Sequence, residues 1–165
     1  MTAYDVAAWE TFALGMLGAA AVLLGLIFVA LSINLDALLR MPVLLRRAAA
    51  AIALLVAVLL ATSFLLVPGQ SAAVVGIELA ATGLLGLVVV LLLLVRHRSS
   101  IDAAYRRRFD EAAVWGAGIQ ALFVVGGLSL MATVGGGLYW LVPAVMLGLV
   151  RAVTEAWVLL VEIKR

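Results

Sequence analysis

The segment SAAVVGIELAATGLLGLVVVLLLLV, residues 71–95, decides the fold. Its only ionisable residue is Glu78. As a helix rising 1.5 Å per residue it reaches about 37 Å, enough to cross the ~30 Å hydrocarbon core of a bilayer. Working back, Pro68 and Gly69 stop a second apolar stretch, 48–67, because proline cannot continue a helix and glycine accommodates the turn. A third apolar stretch, 11–35, precedes it. Working forward, the chain is apolar again from 112 to 163, with Gly135, Gly136 and Gly137 in the middle. One helix over that length would reach about 75 Å, so two spans, 112–133 and 138–163, joined by a glycine turn are expected. Pro143 either kinks the last span or sits in its first turns.

Composition agrees with lipid as the solvent. The 165 residues are 67% hydrophobic and 12% charged, with a mean hydropathy of +1.29, well above the roughly half-apolar make-up of a soluble domain. The fold class expected is therefore all-α, a single polytopic domain of five transmembrane helices. No cysteine is present, which removes thiolate chemistry and disulfides, and a lone His97 makes an imidazole metal site implausible. Neither metal nor cofactor is expected.

The net charge of +2 matters less than where the basic residues lie. Arg40, Arg46 and Arg47 fall between spans one and two; Arg96, Arg98, Arg106, Arg107 and Arg108 between three and four; Lys164 and Arg165 after five. With five spans these three clusters share one face, and the opposite face carries no Lys or Arg. The positive-inside rule then puts the N-terminus outside and the C-terminus in the cytoplasm. Four spans would put the last pair on the wrong side. The basic residues are thus read as topology determinants, with no nucleic-acid partner. Met1 to Glu10 lacks the basic region of a signal peptide and is read as a retained tail. Tyr4, Trp9, Tyr139 and Trp140 sit at outer edges, and Tyr105, Phe109 and Trp115 near the inner one.

In the loop 96–111, Ser99 with Asp102 resembles a helix N-cap, and Ile101, Tyr105 and Phe109 recur every four residues, which predicts an interfacial helix. Arg106, Arg107 and Arg108 on it are candidates for lipid-headgroup contact, against the plainer reading that they only fix topology.

Ionisable side chains within spans cost at least ~2.5 kcal/mol each on insertion scales, so each needs a reason. Glu78 and Thr82 lie one turn apart in the outer half of span three, with Thr62 and Ser63 of span two at similar depth. Arg151 and Glu155 are spaced for an ion pair on span five, and Gln120, Ser32 and Asn34 are candidates to contact it. Two readings stay open: polar residues at successive depths as an ion or solute path, or a helix-packing network of interhelical hydrogen bonds. Small residues add a packing signal. Ala144, Gly148, Ala152 and Ala156 form a four-residue ladder on span five; Gly76, Ala80, Gly83 and Gly86 mark span three, and Gly15, Gly18 and Gly25 span one. The pattern does not distinguish contacts within a subunit from contacts between subunits. No Ser/His/Asp set or G-x-S-x-G nucleophile is present, and the triple glycine lacks the Lys and Ser/Thr of a phosphate loop, so an enzyme is not expected.

The run Gly18-Ala19-Ala20-Ala21-Val22-Leu23-Leu24-Gly25-Leu26-Ile27-Phe28-Val29-Ala30-Leu31-Ser32-Ile33-Asn34 resembles the first span of a group of small bacterial multi-pass proteins. Glu155-Ala156-Trp157-Val158-Leu159-Leu160-Val161-Glu162-Ile163 is similar to their last span. Some of these proteins are provisionally labelled modulators of the FtsH membrane protease. The resemblance covers the two ends, about a quarter of the chain, and implies a bacterial plasma-membrane protein with regulatory contacts. Two functions are therefore expected in parallel. One is a homo-oligomer forming a pore or transport path; the other is a non-catalytic scaffold or regulator of a larger membrane partner. Lipid surrounds the chain in either case.

Overall fold

The computed structural model describes residues 2–35, 39, 42–97 and 103–162. They are mostly helical, with no strand among them. Two 3-10 turns, Thr2–Tyr4 and Val6–Trp9, lead into α1 (Glu10–Ile33). Then come α2 (Pro42–Phe64), α3 (Ala72–His97), α4 (Ala103–Ala132), a 3-10 turn Gly137–Trp140, and α5 (Leu141–Glu162). Four segments, Val6–Ile33, Ala72–Leu92, Glu111–Ala132 and Gly137–Trp157, are long and apolar enough to cross a membrane; Ala48–Phe64 of α2 is a shorter apolar helix.

The helix ends follow from local chemistry. Pro42 opens α2, where its fixed φ suits the first helical turn and its missing N–H is no loss. The helix ends at Phe64, three residues before the expected boundary, because Pro68 has no N–H for the Phe64 carbonyl, its ring crowds that carbonyl, and Val67 ahead of it is disfavoured in the α region; Leu66 N–H to Ser63 O and Val67 N–H to Phe64 O close the end as turns. Pro143 is the third residue of α5, within the first turn, where no i−4 bond is lost and no kink is needed.

One expectation changes. The interfacial segment and span four are a single helix beginning at Ala103, since no proline or glycine interrupts the chain between there and Trp115. At about 45 Å, α4 is longer than a hydrocarbon core. Ser99, Ile101 and Asp102 lie outside the described residues.

The helices pack in rows. The closest pair is α3 with α4; α2 and α5 pack on each other beside that pair, and α1 rests against α2 and α5 alone among the main contacts. Leu55, Val58 and Ala61 of α2, Val145 and Ala152 of α5, and Ala13, Ala20 and Ile27 of α1 form the shared core. Helix α1 buries only the narrow stripe containing Ala13, Ala20 and Ile27 and leaves Leu14, Val22, Leu26 and Val29 exposed.

At one end of the bundle the N-terminal segment folds over the glycine turn. Gly136, at φ 107°, holds a conformation that side-chain-bearing residues rarely adopt, and its N–H donates to the Tyr4 hydroxyl at 3.1 Å. Ser129 Oγ accepts from Gly137 N at 2.8 Å and donates to the Val134 carbonyl. Trp9 stacks edge-on against Tyr139, ring centroids 5.1 Å apart, and donates from Nε1 to Thr2 O at 2.8 Å. The aromatic residues expected at one boundary thus meet at one end.

Candidate functional site

The small-residue patterns are used mainly inside the bundle. At the α3/α4 contact a Cβ added to Gly76 would lie 2.7 Å from Gly127 O, and one added to Gly83 2.6 Å from Gln120 O. The two backbones touch, and the pairing of Gly76 with Gly127 and Gly83 with Gln120 makes the helices antiparallel. On α5, Ala144, Gly148 and Ala152 are buried and Ala156 half-buried; Gly148 faces Val58 of α2, with Ile119 of α4 behind it. Only α1 differs, because Gly15, Gly18 and Gly25 have nothing within 4 Å of an added Cβ.

The polar residues fall into three places. The first is at the start of α3. Ser71 caps the helix, its Oγ accepting from Val74 N at 3.4 Å and its carbonyl from Val75 N at 3.1 Å. Gln70, just ahead of that cap, extends along the helix, and its Nε2 donates to Glu78 Oε1 at 3.1 Å. Thr82 donates to the Glu78 carbonyl at 2.8 Å, one turn deeper. Two oxygens here, Gln70 Oε1 and Glu78 Oε2, are buried without a hydrogen-bond partner.

The second place is Gln120 on α4, 2% exposed, its side chain laid over Gly86 of α3, where glycine alone leaves room for it. Its Oε1 is a third buried oxygen without a partner. Gly86 lies two turns along α3 from Glu78, with Thr82 between them, so Gln120 continues the row begun by Glu78.

The third is the Arg151–Glu155 ion pair one turn apart on α5. Glu155 is 3% exposed and makes a further interaction besides this one, whereas the Arg151 side chain is 28% exposed. The pair forms as its spacing predicts, and its carboxylate points inward.

Comparison with known protein families, curated proteins and solved structures finds no match.

Several sequence-selected residues do not join these places through hydrogen bonds. Asn34 Nδ2 donates to Ala30 O at 2.9 Å and Ser32 Oγ to Phe28 O at 2.8 Å, so both turn back on α1. Thr62, fully buried, donates to Val58 O at 2.8 Å on its own helix. Arg106, Arg107 and Arg108 are on the α4 backbone, but their side chains lie outside the described residues. Among the described residues no group of three or more His, Cys, Asp or Glu is placed to hold a metal. Sequence reasoning missed Gln70, which follows the Pro68-Gly69 turn. The available signal was an amide immediately ahead of a helix cap, within reach of the first carboxylate on that helix.

Proposed function

We propose that the chain is a five-span bacterial plasma-membrane protein, N-terminus outside and C-terminus cytoplasmic, that passes an ion or small solute through the interior of its helix bundle. Helix α2 belongs among the spans in this reading, because its 23 residues reach about 35 Å and its middle is buried by its neighbours.

One observation carries the transport reading. A helix-packing network would satisfy buried polar groups by bonds from helix to helix. Instead the buried Thr62 and Thr82 each bond a carbonyl of their own helix, while Gln70 Oε1, Glu78 Oε2 and Gln120 Oε1 are buried without partners. Each unsatisfied buried acceptor costs about 1–3 kcal/mol, a poor arrangement for packing alone and a suitable one for a ligand that comes and goes. In this reading the path runs within each bundle, a placement supported by the burial of Gln120 and Glu155 in their own subunit.

The test is flux in liposomes containing the purified chain, under imposed proton, sodium and potassium gradients. Flux above that of protein-free vesicles is expected, with at least a tenfold loss in Gln120→Leu. Folded protein that conducts none of these ions would refute the reading.

A second reading, a non-catalytic scaffold or regulator of a larger complex such as a membrane protease, is favoured by α1. Gly15, Gly18, Val22, Gly25 and Val29 alternate by three and four residues along its exposed side, the spacing of a helix-pairing seam. The same seam would serve a homo-oligomer. Gly18→Leu, which has open space around it, should reduce the oligomeric mass in detergent to that of a monomer if the seam joins two copies. An unchanged oligomer would remove that role.

A further inference from the structure

The start of α3 holds two buried acceptors, on side chains already joined by one hydrogen bond, and too few donors. An ionised carboxylate only accepts hydrogen bonds, and an amide oxygen likewise. Gln70 supplies one N–H to Glu78 Oε1, leaving Glu78 Oε2 and Gln70 Oε1 buried with no donor between them.

Among the described residues no basic side chain stands on the stretches of helix that pack around this pair. The chain has no Lys or Arg from residue 48 to 95 or from 109 to 150. The helices packed on α3 are α4 and α2. Arg106, Arg107, Arg108, Asp110 and Glu111 of α4 lie about 30–37 Å along the helix from Met131, which sits beside Gly76. Arg46 and Arg47 of α2 are about 25 Å from the end of that helix at Phe64, and Arg96 of α3 itself is about 27 Å from Glu78. The other titratable groups at this end, Tyr4, Asp5, Glu10 and Tyr139, belong to the N-terminal segment, α1 and the turn before α5.

We infer that Gln70 and Glu78 form a proton-binding site. A proton on Glu78 Oε2 turns that oxygen into a donor, Gln70 Oε1 accepts from it, and the existing bond from Gln70 Nε2 to Glu78 Oε1 completes a cyclic acid–amide pair. One proton satisfies both orphaned oxygens and removes the charge from the span. A metal cation fits less well, because hard cations gather about six or more oxygens and two are on offer. The site deepens the transport reading: taking the proton as the transported ion rests on that reading, whereas proton binding itself stands separately.

Infrared difference spectra of the full-length protein in liposomes, in H2O and D2O, test it. The expected result is a carboxylic-acid C=O band that shifts on deuteration and is lost in Glu78→Gln. The same band should move to higher frequency in Gln70→Leu, which removes both bonds of the pair. Absence of any acid band lost in Glu78→Gln overturns the proposal, as does a band that Gln70→Leu leaves in place. A band abolished by sodium also overturns it, in favour of a metal-ion site. If the bands behave as expected while the same vesicles pass neither protons, sodium nor potassium, the binding site stands and the transport reading fails.

Discussion

Gly127→Ala measures how tightly the α3/α4 contact is drawn. The added methyl would sit 2.6 Å from Ala80 N and 2.9 Å from Ala80 Cβ, against α3 atoms that are not the ends of flexible side chains. Ordinary contact begins near 3.4 Å, and Gly76 O lies closer still than Ala80 N, so the helices must part by about 1 Å. A gap of that size forfeits a quarter to a half of each atom-pair attraction of ~0.1–0.2 kcal/mol, which over a few tens of pairs is on the order of 2 kcal/mol. Alanine returns up to about 1 kcal/mol of helix propensity, leaving a net loss of about 1–2 kcal/mol. Gly18→Ala supplies the control, since its methyl enters open space and should be neutral or stabilising by up to about 1 kcal/mol. Unfolding in mixed micelles with rising SDS, followed by helical circular dichroism, reads both. The reasoning fails if Gly127→Ala unfolds at the wild-type midpoint, or if Gly18→Ala costs as much as Gly127→Ala.

Glu155→Met leaves the Arg151 guanidinium without its carboxylate and should cost about 2 kcal/mol in the same assay, whereas Arg151→Met should cost less, because Glu155 keeps its further interaction. Gly137→Ala places a methyl 2.8 Å from the Tyr4 ring at a φ of 53°, so amide exchange of residues 2–9 should speed up severalfold while that of α3 stays unchanged. Because the chain has no cysteine, single replacements report topology directly. Ser71→Cys and Thr133→Cys should react with an impermeant maleimide on intact cells, and Ser99→Cys only after permeabilisation; the reverse pattern would invert the orientation proposed above.

Much of the fold was legible because the controlling physics is local. Length against bilayer thickness, Pro68-Gly69 and the triple glycine mark segments that can be read one at a time. What was misread depended on continuity. The interfacial segment and span four looked like two elements because hydropathy changes at Ala112, yet a helix follows backbone propensity, and nothing breaks it at that point. The end of α2 was placed late for the converse reason, since Leu65 to Val67 are apolar but Pro68 cannot donate to the Phe64 carbonyl and disfavours the α region at Val67.

The site was less legible, because a periodic pattern says which residues share a face and not what that face meets. The glycines of α1 and α3 read alike in sequence, but Gly76 and Gly83 are pressed against α4 and Gly18 faces nothing. The polar residues show the same gap between pattern and partner. Thr82 and Gln120 were both selected as buried polar groups, yet Thr82 satisfies itself on the carbonyl four residues back, a reach its short side chain makes easy. Gln120 is too long to do so and its amide is carried across to Gly86, leaving Oε1 without a donor. Side-chain length therefore separates the polar groups that α-helices absorb from those they leave available. By that criterion Gln70, Glu78 and Gln120 are the ones to follow, and Thr62, Thr82 and Ser32 are accounted for by their own helices.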